Sequence, residues 1–498
     1  MEKVTKKQFA SSAVWKILEQ FLSKGVTLVV SIVLARLLDA SVFGLIALTA
    51  VFTNLADILV EQGFTAALIS KKDCNDSDYS NSILVSFGTA SLLYIATFFL
   101  APVMANYYNE PSLTLILRIL GLIFFVQVFA APRTAVVTRQ MKFRLLFICN
   151  LVSSIVSGGI GIACAYLGAG PWALVIQRLS QQVLLTVILF IFVKWKFHFK
   201  IDTHRMKKLI TDTATIVIGL LLNYAGTAIA SLVIAKAFSV ADLGYYDKGP
   251  SLPMQLSLYT FGAITSVLLP TLVSYQGDVV QIKDIVRRII RVMTYALAPM
   301  MIGMMVVSKE LVLVLYGEQW LPMVQIMQFS CIYYLATPFM LMNTQVFLAL
   351  GHTATRIKTE IFRLVLIFGA TFGLVFGAKC TVEQLSLANA IIAILAVFFS
   401  FYDVYKMLHY TIGEFFSDII APLIVCEAMF ALIYFFGNFI DQYSFTAHSV
   451  VSLLGKVAIG VLVYIFASIA FKLDGYKEII GVVKSMFGKG KKKELAHE

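Results

Sequence analysis

Apolar residues run through this chain in long blocks separated by short polar punctuation. The blocks lie near 12–35, 43–69, 80–104, 113–132, 146–167, 171–193, 209–235, 249–274, 289–308, 321–350, 361–378, 384–405, 416–436 and 451–471. A hydrocarbon core about 30 Å thick takes roughly 20 apolar residues per helix. The pattern therefore predicts an all-α integral membrane protein with about fourteen membrane-spanning helices. A transmembrane barrel would read as alternating segments of about ten residues, and that pattern is absent.

Within this pattern one polar frame occurs twice, 200 residues apart: Ser23, Thr27, Ser31, Ala35, Arg36 and Gly44 return as Asn223, Thr227, Ser231, Ala235, Lys236 and Gly244. Five of the 22 positions from 23 to 44 are identical. The polar members fall every four residues, which places them on one face of a helix in each copy. The seventh predicted span follows the first by six crossings, so both run in the same direction and the halves have parallel topology. Two six-helix bundles are expected, at 1–200 and 201–408, followed by two further helices at 409–472 and a basic tail at 473–498.

Composition agrees with the pattern. At 59% hydrophobic, 14% charged and mean hydropathy +0.85, 498 residues cannot hide their apolar surface in a water-soluble core. The net charge of +12 could signal nucleic acid, but the basic residues alternate with spans and no folded domain presents them. They report topology instead. With both termini in the cytoplasm, 31 of the 40 Lys and Arg fall on the inner side, among them Arg287, Arg288, Arg291, Arg356, Lys358, Arg363 and those from Lys472 onward. The run GKGKKK at 488–493 fits either a solvated tail or contact with anionic lipid head groups. The basic start leads into a full-length span with no small-residue cleavage site, so no cleavable signal peptide is expected.

Metal and redox chemistry find no support. The six cysteines, Cys74, Cys149, Cys164, Cys331, Cys380 and Cys426, are scattered without a ligand spacing, and the six histidines are isolated. No cofactor is expected. Outer connections of at most about 15 residues leave no room for a soluble catalytic domain, so function is expected between the helices.

Four groups of residues could carry it. The stripe Ser23, Thr27, Ser31, Asn223, Thr227 and Ser231 suits the wall of a polar cavity, and equally suits close helix packing. Lys24 and Asp57 sit twelve and thirteen residues in from the outer turn at 36–44, at matching depth. A charge at the bilayer centre costs at least ~2.5 kcal/mol, so the two are expected to pair, either as a helix clamp or as part of a cavity. Glu19 and Glu61, one turn nearer the cytoplasm, are candidates for carrying a proton or sodium ion together with Asp57. Arg118 and Arg178 could hold phosphate oxygens with their planar forks, or snorkel to the outer interface. The second half reads as poorer in buried charge. There Pro250 can start a helix cheaply, while Pro253 and Pro338 could bend theirs.

The stretches VLARLLDASVFGLIALTAVFTNLADILVEQGFTAALI at 33–69, ADLGYYDKG at 241–249 and VLLPTLVSYQGD at 267–278 resemble the polysaccharide transporter branch of the multidrug/oligosaccharidyl-lipid/polysaccharide exporter superfamily. They are most similar to oligosaccharide flippases of the teichuronic-acid and colanic-acid exporter type. The resemblance implies a non-enzymatic protein of the bacterial cytoplasmic membrane, with paired six-helix bundles that open a cationic cavity alternately to either side. Its cargo would be an undecaprenyl-diphosphate-linked oligosaccharide, with Lys24, Arg118 and Arg178 as the residues to hold the diphosphate. Coupling to a proton or sodium gradient, and partnership with membrane lipids and polysaccharide assembly enzymes, are further implications. A multidrug extruder, a lipid II flippase and, from another class, a membrane-embedded sugar polymerase or ligase are the alternative readings.

Overall fold

The structure, a computed structural model, describes residue 15 and residues 19–71, 74–193, 203–443 and 448–478. All regular structure among them is helical. In chain order the helices are α1 (Lys24–Leu37), α2 (Ala40–Ser70), α3 (Asp76–Tyr108), α4 (Ser112–Arg139), α5 (Phe143–Tyr166), α6 (Pro171–Phe192), α7 (Thr203–Ala237) and the short α8 (Val240–Lys248). They continue as α9 (Ser251–Ser274), α10 (Val279–Val306), the short α11 (Ser308–Leu315), α12 (Met323–Ala349), α13 (Ala354–Gly377), α14 (Val382–Leu408), α15 (Ile412–Tyr443) and α16 (His448–Ala470).

Among the described residues, eleven helices are long and apolar enough to cross a membrane, and α7, bent by 47° between Leu222 and Tyr224, makes a twelfth. The expected fourteenfold count is thus met for twelve. The other two expected spans are occupied by α1, whose predicted start lies outside the described residues, and by α9. Several helices begin earlier than hydropathy places them: α10 at Val279 rather than 289, and α13 at Ala354 rather than 361. Hydropathy marks the stretch that hydrocarbon must cover, whereas the backbone hydrogen-bond ladder continues through charged turns such as Lys283–Arg291. The basic tail from 479 onward lies outside the described residues.

Local sequence explains the helix ends. Asn75 and Asp78 form a reciprocal capping box at the start of α3, and Thr381 and Gln384 do the same for α14. Pro253, expected to bend α9, sits instead in its first turn after Ser251, where the missing N–H has no intrahelical partner to lose. Arg139 closes α2 from the neighbouring helix: its NH1 donates to the carbonyls of Leu68 at 2.8 Å, Ile69 at 3.1 Å and Lys71 at 2.5 Å. Arg139→Ala is expected to cost about 1–3 kcal/mol, read as a lower melting temperature of the purified protein; an unchanged melt would show that these carbonyls find water equally well.

Packing divides the chain into two compact units, Met1–Asp247 and Lys248–Glu498. In the first, α5 pairs with α6 and α1 lies on α5, while α4 packs on α6 and α7 on α2 and α3. The repeated glycines meet here. A Cβ on Gly44 would fall 1.6 Å from the Val240 carbonyl oxygen, and one on Gly244 would fall 2.1 Å from that of Ala40. Both pairs are related by the same 200-residue offset, so the two copies of the repeat touch through equivalent atoms, the self-complementary arrangement of a two-fold contact.

In the second unit α12 packs against α14 and α9, α10 against α15, and α15 against α16. Its charges are paired. Arg287 grips Asp418 with Nε at 2.7 Å and NH2 at 3.0 Å, and the Tyr410 hydroxyl donates to the same carboxylate at 2.8 Å. Lys456 of α16 meets Glu310 of α11 at 2.5 Å. The sequence expectation of a charge-poor second half is corrected: in sequence these residues are far apart, and only folding brings them together.

Candidate functional site

The charged residues of the first unit cluster around a break in α2. From Asp57 to Gln62 that helix widens into a π segment, and a second π segment, Glu19–Ser23, runs into α1 at Lys24. π turns are rare and occur mostly at functional sites. Each carries extra residues per turn, so it rotates the side chains that follow relative to a regular helix.

Lys24 and Asp57 form no direct ion pair; the Asp57 carboxylate accepts from Gln62 Nε2 at 2.6 Å and from Gln127 Nε2 of α4 at 3.3 Å. Two cations still reach it through space, Arg178 more strongly than Lys24. A depth count matched the levels but could not show that the π turn sets Gln62 against Asp57 or that packing brings Gln127 to it.

Arg178, on α6, donates from NH2 to Asn54 Oδ1 at 3.0 Å. Near both lies Tyr224 of α7, whose hydroxyl donates to the carbonyls of Ala50 and Val51, each at 3.3 Å. Asp247, at the end of α8, adds a negative field on Arg178. Glu61 accepts from Gln182 Nε2 at 3.2 Å and has Asp57 as its charged neighbour. The result is one polar network drawn from α2, α4, α6, α7 and α8.

The network has spare capacity. Arg178 commits one of five donors, and Lys24 is exposed with no hydrogen bond or ion pair to a described residue. Gln127 Oε1 and Ser23 Oγ are buried without a hydrogen-bond partner among the described residues. Cations with open donors beside unsatisfied polar atoms are suited to a polar anionic ligand.

Other expected residues stand apart. Arg118 lies over the Phe98 ring, 3.9 Å from its centroid, with Nε and NH2 each 3.4 Å from the Phe98 carbonyl on α3. Thr27 and Ser231 turn their hydroxyls onto their own helices, to Ser23 O at 3.0 Å and Thr227 O at 3.1 Å. The side chains of Glu19 and Asn223 lie outside the described residues. Gln127 was missed, although a lone amide in the apolar run IFFVQVFAA is costly in hydrocarbon unless paired and could have been flagged.

An all-helical, multi-pass membrane protein with a charged network inside one unit is the class that fold and site define. The chain belongs to the family described as "Polysaccharide biosynthesis protein", whose sequence profile matches residues 33–325. It is 23% identical to the teichuronic acid biosynthesis protein TuaB of Bacillus subtilis, over 83% of this chain and 85% of that one. It is also 23% identical to the lipopolysaccharide biosynthesis protein WzxC of Escherichia coli, over 65% of this chain and 66% of the other. Among solved structures it is similar to the lipid II flippase MurJ in an inward closed conformation, with TM-score 0.73, 16% identity, and coverage of 94% of this chain and 99% of that one. An inward-facing multidrug resistance MATE family transporter of the MOP superfamily follows, with TM-score 0.60, 15% identity, and coverage of 78% and 94%.

Proposed function

We propose that this protein is a flippase moving a lipid-diphosphate-linked oligosaccharide, a precursor of cell-surface polysaccharide, across the cytoplasmic membrane by alternating access. The observation that carries the reading is the pair of cations with open donors, Lys24 and Arg178, beside Asp57 in a membrane-spanning unit. Family membership and the relatives' names support the cargo class. A diphosphate offers oxygens that a guanidinium fork binds two at a time, and its charge cannot enter hydrocarbon unaccompanied. In this reading Asn54 aims Arg178, and Tyr224 braces the turn of α2 that leads to Asn54. Asp57 balances the cations while the site is empty. Asp57 and Glu61, with Glu19, are the candidate sites for a coupling proton or sodium ion. The stripe of Ser23, Thr27, Ser31, Asn223, Thr227 and Ser231 lines the path, both termini face the cytoplasm, and the chain is organised as six-helix bundles at 1–200 and 201–408.

The test is flipping of a polyprenyl-diphosphate-linked glycolipid by the purified protein in proteoliposomes. Transport that accelerates under an imposed proton or sodium gradient is the expected result, and absence of flipping with every such glycolipid would overturn it. Glu61→Gln is expected to leave gradient-free flipping within about threefold while removing the acceleration, because it keeps the hydrogen-bonding shape and deletes the charge; acceleration that survives would exclude Glu61 as the coupling group.

A further inference from the structure

The second unit holds an ionisable pair within a membrane-spanning helix that the transport reading above does not use. Arg363 and Glu360 both lie in α13, a helix long and apolar enough to cross a membrane, with Arg363 about 14 Å from its start at Ala354 at 1.5 Å per residue. The helix has a clear lipid-type face: Ile357, Ile361, Val365 and Phe372 are 50%, 48%, 62% and 47% exposed. At about 100° per residue, Arg363 lies nearly opposite Ile361 and Val365. Its side chain is 12% exposed and that of Glu360 22%.

Geometry gives this pair an unfinished character. Arg363 Nε and NH2 reach Glu360 at 3.2 and 2.9 Å, both ending on the same oxygen, Oε2. Tyr333 of α12 lies near the guanidinium. A fork-to-fork pair would use both carboxylate oxygens; this one leaves donors of the guanidinium uncommitted. An i, i+3 pair on a helix contributes only about 0.2–0.5 kcal/mol by itself, and a buried ion pair is weak evidence for stability. Ionisable residues inside a membrane span ordinarily mark a pathway.

We propose that Arg363 is an oxyanion-binding residue in the second unit, taking a phosphate group of the cargo, with Glu360 occupying the guanidinium until the anion arrives. The inference rests on the transport reading for the identity of the cargo.

The experiment is calorimetric titration of the purified full-length protein with inorganic diphosphate. Wild type is expected to bind. Arg363→Gln is expected to weaken binding about tenfold and Arg363→Lys less, while Glu360→Gln, which removes the competing charge, should strengthen it several-fold. That last result sets binding apart from a structural role, in which losing Glu360 would harm the protein as losing Arg363 does. Weaker binding in Glu360→Gln, unchanged binding in Arg363→Gln, or no binding by wild type would each overturn the proposal. A flipping assay on the same preparations separates the two readings: Arg363-dependent diphosphate binding without glycolipid flipping by wild type would overturn the transport reading while leaving the anion site in place.

Discussion

Arg178→Ala is expected to slow flipping of a diphosphate-linked glycolipid by about 10- to 100-fold, corresponding to the roughly 1.5–3 kcal/mol of a hydrogen bond to a charged group. Lys24→Ala should slow it less, because a flexible ammonium is a point charge without a fork. The difference between the two follows from how each is held. Arg178 is oriented by Asn54, which lies one turn along α2 from the Ala50 carbonyl that Tyr224 bonds, whereas Lys24 has no such support among the described residues. Tyr224→Phe should therefore reproduce part of the Arg178 defect, since it removes the hydroxyl's hold on the turn of α2 that leads to Asn54 without touching a charge. Proteoliposome flipping rates for the three variants decide the matter. Equal rates for wild type and Arg178→Ala would remove the first-unit network from cargo binding, whatever the fate of Lys24.

The second large effect is expected at the crossing of the repeats. In Gly44→Ala the new methyl group would sit 1.6 Å from the Val240 carbonyl oxygen, a backbone atom that no rotamer change can move. In Gly244→Ala it would sit 2.1 Å from the Ala40 carbonyl oxygen. Either substitution must part α2 from α8, at a cost of about 1–3 kcal/mol or more for overpacking. Because both glycines serve one contact, the double variant should cost less than the sum of the two singles. Melting temperature and yield of monodisperse protein measure this directly. Strict additivity would mean that the two contacts are independent, and unchanged melts would mean that the helices do not cross here.

Much of this was readable from residue order. The apolar blocks located every long helix, because the bilayer imposes one length and one solvent preference on each span. The repeated frame from Ser23 to Gly44 and Asn223 to Gly244 pointed to equivalence between two helix starts, and the glycines that end it turned out to touch. The candidate site was legible only in its members. Asp57, Glu61, Arg178 and Gln182 were visible as polar residues in apolar surroundings, but their partners were not, since Gln127 lies 70 residues from Asp57 and Asn54 lies 124 from Arg178. Tyr224 stands at the position of Lys24 in the second copy of the repeat, so the cation belongs to the first copy alone. Tyr224 bonds helix α2 instead, beside the residue that aims Arg178.

The sequence by itself determined the medium, the helical class and the places where charge enters a span, because burial of apolar surface and the cost of a charge in hydrocarbon are local properties that add along the chain. Tertiary structure decided which charges meet. A π turn set Gln62 against Asp57, Arg287 met Asp418 across 131 residues, and packing brought the distant amide of Gln127 to Asp57. Those outcomes depend on angles and distances between helices, which residue order does not contain.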